Sequence, residues 1–316
     1  MQFNRKIFLS IVTLLTIIVF IVAYLFYVMP INDHRIFGVT YMTMNNPFYE
    51  IINNELKKNI EKNGDRLITL DPQLDIDKQN EQIYSFIEQK VDGIFINPID
   101  AKKIEPALKA AKKAHIPIIT VDAPVTNKDL VNCTVVSDNY NAGVQCAKYM
   151  MSKLKSANIV LLKHTTALSA KQRIEGFLDT IDAHSEYKII NQGECKGQLE
   201  KAMPVMQRIL KETPEVDVVM ALNDPSALGA LAALESMGYE DVMVYGVDGT
   251  PDIKSLIEES PMVAGTVAQS PISIGKIAAK NMYDLLSGKE IGSNIVIPVE
   301  IITKENIAQF NKTGWQ

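Results

Sequence analysis

Several short apolar runs of the sequence are followed, within a few residues, by side chains that bind hydroxyl groups: Asn46, Asp122, Asn223, Asp248 and Gln269. Carboxylates and amides pair with hydroxyls through hydrogen bonds, which are short and strong where the acceptor is charged. Phe48 and Tyr49 follow the first of these amides, and their rings are suited to cover an apolar C–H face. A neutral sugar offers both kinds of surface, so the pattern predicts a monosaccharide-binding site.

Each of these residues also fits a purely structural role. Both asparagines lie shortly before a proline, where they would cap the start of a helix. Both aspartates would sit in turns, the aromatic pair would belong to a helix core, and the glutamine would be an ordinary polar residue at a strand end. The residue types by themselves leave both interpretations open.

Enzyme signatures are missing from the sequence. It has no P-loop, no G-x-S-x-G, no H-E-x-x-H, and no G-x-G-x-x-G after the first predicted strand. Asp122 and Asp248 could form a glycosidase pair, but the amides around them suit holding a sugar rather than cleaving one. We therefore expect a binding protein without catalytic activity.

No metal or cofactor is expected either. The four histidines have no i, i+4 spacing, and the three cysteines have no C-x-x-C pair: His34, His115, His164, His184, Cys133, Cys146 and Cys195. We interpret the cysteines as small buried apolar residues rather than disulfide partners.

The elements that must position the site alternate along the chain. The predicted strands are Ile36–Tyr41, Arg66–Leu70, Gly93–Ile96, Ile118–Val121, Ile159–Leu162, Val216–Ala221, Val242–Val247 and Val263–Val267. The predicted helices are Phe48–Lys62, Ile76–Gln89, Ala101–Ala114, Ala170–Ala183, Leu199–Lys211, Pro225–Met237, Pro251–Glu259 and Ile274–Leu286. Such alternation predicts an α/β protein with parallel sheets, and its extent favours two similar doubly wound lobes. Ligands of such sheets bind beyond the carboxyl ends of the strands, where the polar residues lie.

The N-terminal segment differs from the rest of the chain. Ile7–Met29 contains no charged residue, and as a helix it would span about 35 Å, enough to cross a bilayer. Arg5 and Lys6 precede it, which predicts a cytoplasmic N-terminus and an extracytoplasmic binding domain at the cell membrane. We favour an uncleaved transmembrane anchor because the run is long and lacks a small-residue cleavage site. A cleaved signal peptide and a buried core helix remain alternatives.

The net charge of −5 argues against a nucleic-acid partner. Sugar-responsive repressors have a ligand-binding core of this kind behind an N-terminal DNA-binding domain. This chain has a predicted membrane span in that place, so a repressor is also disfavoured.

Motifs in order along the chain carry a family resemblance: Asn45-Asn46-Pro47-Phe48-Tyr49, Val91-Asp92-Gly93-Ile94-Phe95-Ile96-Asn97-Pro98, Pro117-Ile118-Ile119-Thr120-Val121-Asp122, Ser137-Asp138-Asn139, Arg173-Ile174-Glu175-Gly176-Phe177, Asn223-Asp224, Gly246-Val247-Asp248-Gly249-Thr250 and Ala268-Gln269. From about residue 36 to 302 the chain resembles the type I periplasmic sugar-binding proteins, most of all their ribose-binding branch. The resemblance implies a venus-flytrap whose two lobes, joined by three chain crossings, close on a sugar.

The resemblance also implies the bounds of the domains. The N-terminal lobe would consist of residues 35–137 with 270–298, and the C-terminal lobe of residues 138–269 with 299–316. Residues 1–34 would form a cytoplasmic tip, the anchor and a linker ahead of them.

The resemblance also places the sugar contacts: Asn46, Phe48, Asp122, Arg173, Asn223, Asp248 and Gln269, with Tyr49 where the ribose branch has a second phenylalanine. Arg173 has the alternative of pairing with Glu175 or Asp179 on a helix surface. Two departures change the pocket. Ala123 stands where the ribose binder has an arginine, and Gly197 or a neighbour replaces an aromatic residue.

Among proteins of this kind, the chain resembles the membrane-anchored xylose-sensing binding proteins that pair with a sensor histidine kinase. The resemblance implies a receptor for a pentose such as xylose or ribose, which closes around the sugar and signals to a kinase of a two-component system. The alternative is the substrate-binding component of an ABC sugar importer, with a permease as its membrane partner.

Overall fold

The computed structural model describes residues 5–28 and 34–316. It divides into two units, residues 1–35 and residues 36–316, and each is described by itself. In the first unit, helix α1 (Arg5–Val28) is the one described helix long and apolar enough to cross a membrane, and the side chains of Ile7–Tyr24 are all exposed. Met29 and Pro30, at the end of the predicted anchor, lie outside the described residues.

Twelve strands within residues 34–316 form two six-stranded sheets. The first sheet contains β1 (Ile36–Thr40), β2 (Arg66–Leu70), β3 (Gly93–Ile96), β4 (Ile118–Val121), β5 (Cys133–Ser137) and, much later in the chain, β11 (Asn294–Ile297). The second contains β6 (Ala157–Lys163), β7 (Tyr187–Glu194), β8 (Val218–Ala221), β9 (Met243–Asp248), β10 (Val263–Ala268) and β12 (Glu300–Thr303). Their strand orders are β11-β5-β4-β3-β1-β2 and β12-β10-β9-β8-β6-β7. All pairings are parallel except that of β10 with β12.

Helices cover the sheets and complete two lobes. The first lobe contains α2 (Pro47–Glu61), α3 (Ile76–Glu88), α4 (Glu105–Lys113) and α10 (Pro271–Leu286). The second contains α5 (Asn139–Lys153), α6 (Leu168–Ile181), α7 (Leu199–Glu212), α8 (Asp224–Ser236) and α9 (Pro251–Glu259). The inner strands β3, β4 and β8 are buried along their whole length, as continuous apolar runs in parallel sheets require.

The chain passes between the lobes three times, after β5, after β10 and after β11. Gln145 braces the third crossing from α5. Its Nε2 donates to the Val299 carbonyl at 3.0 Å, and its Oε1 accepts from the Ile301 amide at 2.8 Å. One side chain therefore binds the backbone on both sides of Glu300, where the chain enters β12 of the second sheet.

All eight predicted strands are present, with ends shifted by no more than two residues. Strands β5, β7, β11 and β12 and helix α5 were not predicted. β7, β11 and β12 lie at sheet edges and are partly exposed, so they lack the continuous apolar run that marks a buried strand. Helix α4 begins at Glu105 rather than Ala101, because Pro106 suits the first turn of a helix and not its interior.

Candidate functional site

A cleft lies between the carboxyl ends of the two sheets. Its empty volume is about 430 Å³, which includes its opening to solvent. Seven of the eight predicted site residues line it: Asn46, Phe48, Tyr49, Asp122, Arg173, Asn223 and Asp248. The eighth, Gln269, is buried directly behind, with its Nε2 donating to Asp248 Oδ1 at 2.7 Å. The tertiary structure thus brings the whole predicted set together from residues more than 200 positions apart.

Asp122 presents one free carboxylate oxygen from the first lobe. The residue follows β4 at φ +66°, a left-handed conformation that is strained for a residue with a Cβ. Its Oδ2 accepts from Asn97 Nδ2 at 3.1 Å, while its buried Oδ1 has no hydrogen-bond donor. Burial raises the pKa of this carboxyl, and the charge of Arg173, the hydrogen bond from Asn97 and the nearby Tyr49 hydroxyl oppose that rise.

Asp248 repeats this arrangement in the second lobe. It ends β9 at φ +150°, and its Oδ1 is held by Gln269 while its buried Oδ2 has no partner. Gln269 Oε1 is buried and unpartnered as well. Burial raises the pKa of Asp248 well above its usual range, and the neighbouring charge of Asp224 adds to the rise. On each side of the cleft, one amide therefore fixes a carboxylate and leaves its second oxygen available.

Arg173 lies between the two carboxylates. Its Nη2 is 3.9 Å from Asp122 Oδ1, and its Nη1 is 3.7 Å from Asp248 Oδ1. Its Nε donates to Asn139 Oδ1 at 2.8 Å, and its Nη1 to the Leu222 carbonyl at 2.9 Å. The side chain is buried, so the alternative of a surface pair with Glu175 or Asp179 is wrong. The charge of the guanidinium favours the ionised form of both carboxyls and so opposes the rise in pKa that burial causes.

Close packing of α5 against α6 positions the guanidinium. A Cβ at Gly143 would lie 1.8 Å from the Arg173 carbonyl oxygen, and one at Gly176 would lie 2.0 Å from the Tyr140 carbonyl oxygen. These two glycines therefore let the helix backbones touch, which brings Asn139 at the start of α5 within reach of Arg173 on α6.

Asn46 and Asn223 are helix caps that also face the cleft. Asn46 Oδ1 accepts from the Phe48 amide at 2.9 Å at the start of α2, and Asn223 Oδ1 accepts from the Ser226 amide at 3.1 Å at the start of α8. The Nδ2 of Asn223 donates to the Gly197 carbonyl at 3.1 Å. The predicted capping role is therefore present at both positions, and both residues line the cleft as well.

The aromatic pair forms one wall of the cleft. The rings of Phe48 and Tyr49 meet edge to face with centroids 5.9 Å apart, and Tyr49 stacks on Tyr41 at 5.8 Å. Burial raises the pKa of Tyr49 well above its usual range, with the charges of Asp122 and Asp248 adding to the effect, so the phenol stays neutral.

Further cleft residues were not assigned from the sequence: Met42, Leu74, His164, Ala167, Ser169, Ala170, Lys196, Gln198 and Leu222. His164 directly follows β6. Because ligands bind beyond the carboxyl ends of parallel strands, its position after a strand is a sequence signal for a site residue. Asn97, which fixes Asp122, follows β3 in the same way. Leu74 reaches the cleft through two successive left-handed residues, Gln73 at φ +58° and Leu74 at +64°, and no sequence pattern signals that bend.

The two departures from the ribose branch lie at the site. Ala123 is fully buried beside Asp122, and Gly197 lines the cleft at φ +69°. A Cβ at Gly197 would approach Asn223 Nδ2 to 3.0 Å. The cleft therefore has a methyl side chain at position 123 and no side chain at position 197.

Within residues 5–28 and 34–316, no group of three or more His, Cys, Asp or Glu side chains is placed to hold a metal ion. Cys133, Cys146 and Cys195 are buried and unpaired, as predicted for small apolar residues. Burial raises the pKa of Cys133 to about 11 and also raises that of the other two thiols.

Two parallel-sheet lobes with a buried cleft of carboxylates, amides and aromatic rings define a two-lobe binding protein for small polar molecules. The chain belongs to the periplasmic binding protein domain family, whose model matches residues 37–290. It is 33% identical over 270 residues to the ribose import binding protein RbsB of Bacillus subtilis, which covers 85% of this chain and 87% of that protein. It is 31% identical over 265 residues to RbsB of Escherichia coli, covering 83% of this chain and 88% of that one.

Solved structures agree with these sequence relatives. An ABC transporter solute-binding protein from Bacillus halodurans, with bound myo-inositol, matches with a TM-score of 0.82 at 27% identity, covering 89% of this chain and 98% of that one. The binding protein of an arabinose ABC transporter from Shewanella, bound to L-arabinofuranose, matches with a TM-score of 0.81 at 27% identity, covering 87% and 93%. The predicted two-lobe fold and the resemblance to the ribose branch are confirmed. These relatives are named as binding proteins, consistent with the expectation that the chain is not an enzyme.

Proposed function

We propose that the chain binds a neutral monosaccharide between its lobes through Asn46, Phe48, Tyr49, Asp122, Arg173, Asn223, Asp248 and Gln269. The observation that carries this proposal is a set of three buried acceptor atoms that receive no hydrogen bond, on the two carboxyl groups that flank Arg173 and on the amide that holds one of them: Asp122 Oδ1, Asp248 Oδ2 and Gln269 Oε1. A buried polar atom without a partner costs about 1–3 kcal/mol, so such a cluster is expected where a ligand completes it. Sugar hydroxyls donate the missing hydrogen bonds, and the Phe48–Tyr49 wall covers the ring.

Binding and closure are coupled in this proposal. The bodies that move are residues 35–137 with 270–298 and residues 138–269 with 299–316. Asp122 belongs to the first and Asp248 to the second, so a sugar that contacts both carboxylates binds the closed form better than the open one. That difference in affinity is what shifts the population toward closure.

The proposed ligand is a pentose such as ribose or xylose. Support comes from the ribose import binding proteins among the relatives. Ala123 and Gly197 remove one guanidinium and one ring from the ribose-type pocket, so ribose is only one member of the set to be tested. Calorimetric titration of the full chain in detergent with ribose, xylose, arabinose, galactose, glucose and inositol provides the test. We expect one sugar to bind with micromolar or tighter affinity; no heat with any of the six would contradict the proposal.

We further infer that α1 remains attached as a single-pass anchor with the N-terminus in the cytoplasm. Its length, its exposed apolar surface and the basic residues Arg5 and Lys6 at its start support this inference. N-terminal sequencing of the protein from membranes should begin at or near Met1. A mature chain that begins just after Pro30 would identify α1 as a cleaved signal peptide.

The membrane partner we propose first is the permease of an ABC sugar importer, because the relatives include import binding proteins. A sensor histidine kinase is the second candidate, and α1 is the observation that favours it, since a fixed anchor suits a permanent membrane complex. Crosslinking in native membranes with and without the bound sugar, followed by identification of the captured protein, separates the two.

A further inference from the structure

Trp315 contacts the wall of the cleft from outside. Its ring meets the Phe48 ring edge to face, with centroids 5.6 Å apart and planes at 64°. Phe48 is almost fully buried and lines the cleft, whereas Trp315 is half-buried and lies behind it. Trp315 is the single tryptophan of the chain. A residue proposed to cover the sugar is therefore backed by an aromatic side chain 267 positions away.

Residues 311–316, here called the tryptophan turn, are held on the second lobe. Lys254 of α9 is fully buried, and its Nζ donates to the carbonyl oxygens of Asn311 and Gly314, each at 2.5 Å. Asn311 Oδ1 accepts from the Gly314 amide at 3.1 Å, which folds the turn on itself. At its outer edge, Lys312 Nζ pairs with Glu258 Oε1 of α9 at 2.6 Å.

The contact between Trp315 and Phe48 consequently joins the two lobes. Phe48 belongs to α2 of the first lobe, while the tryptophan turn is tied to α9 of the second. Elsewhere at the cleft the lobes meet through the Thr166 hydroxyl, which donates to the Ile99 carbonyl at 3.3 Å, and through Arg173 near Asp122. The structure is thus a closed form, and opening would separate the two rings.

We propose that Trp315 is a closure latch that positions Phe48 over the ligand and slows opening of the lobes. A contact made only in the closed form raises the closed fraction of the sugar-free protein, and the apparent affinity of a ligand that binds the closed form rises with that fraction. The proposal rests on the proposed function, since the ligand concerned is the sugar in this cleft.

Emission from the single tryptophan tests the latch directly. With the sugar found by calorimetry, we expect saturable protection of Trp315 from acrylamide quenching, with the same midpoint as the calorimetric titration. Stopped-flow dilution of the complex, followed by this emission, gives the dissociation rate. Emission and quenching that do not change at saturating sugar would overturn the proposal.

Four variants separate a latch from a general structural role. Trp315→Ala should weaken sugar affinity by about fivefold or more, mainly through faster dissociation, as the loss of an aromatic pair and its packing implies. Trp315→Phe should recover most of the affinity. Lys254→Met should release the turn and resemble Trp315→Ala. Its matched control, Lys312→Met, removes only an exposed ion pair with Glu258 and should bind like the natural chain.

The outcomes also separate the latch from the proposed function. If the natural chain binds a sugar and Trp315→Ala binds it within 1.5-fold at an unchanged dissociation rate, the latch is wrong and the proposed function stands. If no sugar binds, the proposed function fails, and small-angle scattering of the sugar-free proteins decides on the latch. The latch then requires a larger radius of gyration for Trp315→Ala than for the natural chain, and equal radii would overturn it.

Discussion

Replacement of Asp248 by asparagine tests the proposed clamp most directly. The substitution keeps the shape of the side chain and removes its charge, at a position that is only 3% exposed. Gln269 Nε2 donates to Oδ1 at 2.7 Å, so an asparagine would turn its one acceptor oxygen toward Gln269. Its amide nitrogen would then stand where Oδ2 is now free, and it would meet a sugar hydroxyl as donor against donor.

The expected loss follows from the energy of a charge-assisted hydrogen bond. Such a bond contributes about 1.5–3 kcal/mol, so Asp248→Asn should weaken sugar binding about ten- to hundredfold. At a sugar concentration of about 100 times the natural dissociation constant, ligand stabilisation of the natural chain is about 2.7 kcal/mol. In the variant it should fall to between about 0.4 and 1.4 kcal/mol, which a thermal shift assay resolves.

Sugar-free stability distinguishes a damaged site from a damaged fold. Burial raises the pKa of Asp248, which means that the folded protein bears a cost for the charged form. Without sugar, Asp248→Asn should therefore unfold at the same temperature as the natural chain or higher. Asp217→Asn is the matched control, because it makes the same chemical change far from the cleft. Asp217 lies just ahead of β8, at the end of the second sheet opposite the cleft, and its Oδ2 accepts from the Asn158 amide at 2.7 Å. A folded Asp248→Asn variant that binds within threefold of the natural chain would refute the clamp.

Three further predictions concern protons and packing. Hydroxyl donors stabilise the ionised form of Asp248, whose pKa is raised by burial, so sugar binding should release protons and sugar affinity should fall as the pH is lowered. Calorimetric titrations in buffers of different ionisation enthalpy measure this proton release. Binding heats that do not depend on the buffer would contradict the prediction. Burial raises the pKa of Asp224 to about 6, above the ~3.9 of an exposed aspartate, so the sugar-free native state keeps a proton that the unfolded chain loses between about pH 4 and 6. The free energy of unfolding should consequently decrease as pH rises through that window, as denaturant titrations can show, and Asp224→Asn should flatten the profile. Gly143→Ala would place a Cβ 1.8 Å from the Arg173 carbonyl, so it should cost about 1–3 kcal/mol or more in denaturant unfolding and weaken sugar binding, whereas Gly292→Ala, with nothing nearer than 3.9 Å, should do neither.

Much of the fold was predictable because buried parallel strands leave a local record. Runs such as Ile118–Val121 are continuous and β-branched, and the structure places them as strands with little change. Three of the four strands that were not predicted, β7, β11 and β12, lie at sheet edges, whereas β5 is a buried inner strand. Because an edge strand is partly exposed to solvent, fewer of its side chains have to be apolar, and its sequence resembles that of a loop.

The candidate site was predictable for a similar reason. Asp122, Asp248 and Gln269 each follow a buried strand, and parallel topology sends all such positions to one end of a sheet. Asn97 and His164 also directly follow strands, although neither was predicted to bind the ligand. The sequence could not predict which oxygen of each carboxylate an amide would hold, since that depends on side-chain rotamers set by packing across the sheet.

By itself, then, the sequence determined the apolar periodicity, the strand-end chemistry and the long uncharged N-terminal run, because each is encoded by neighbouring residues. Only the tertiary structure decided that Arg173 is buried between two carboxylates rather than exposed on a helix surface, since this depends on two glycines that let α5 touch α6. It alone also brought Trp315 against Phe48, because a buried lysine of α9 holds the tryptophan turn there. Contacts between residues so distant in sequence arise from chain folding and have no local pattern to reveal them.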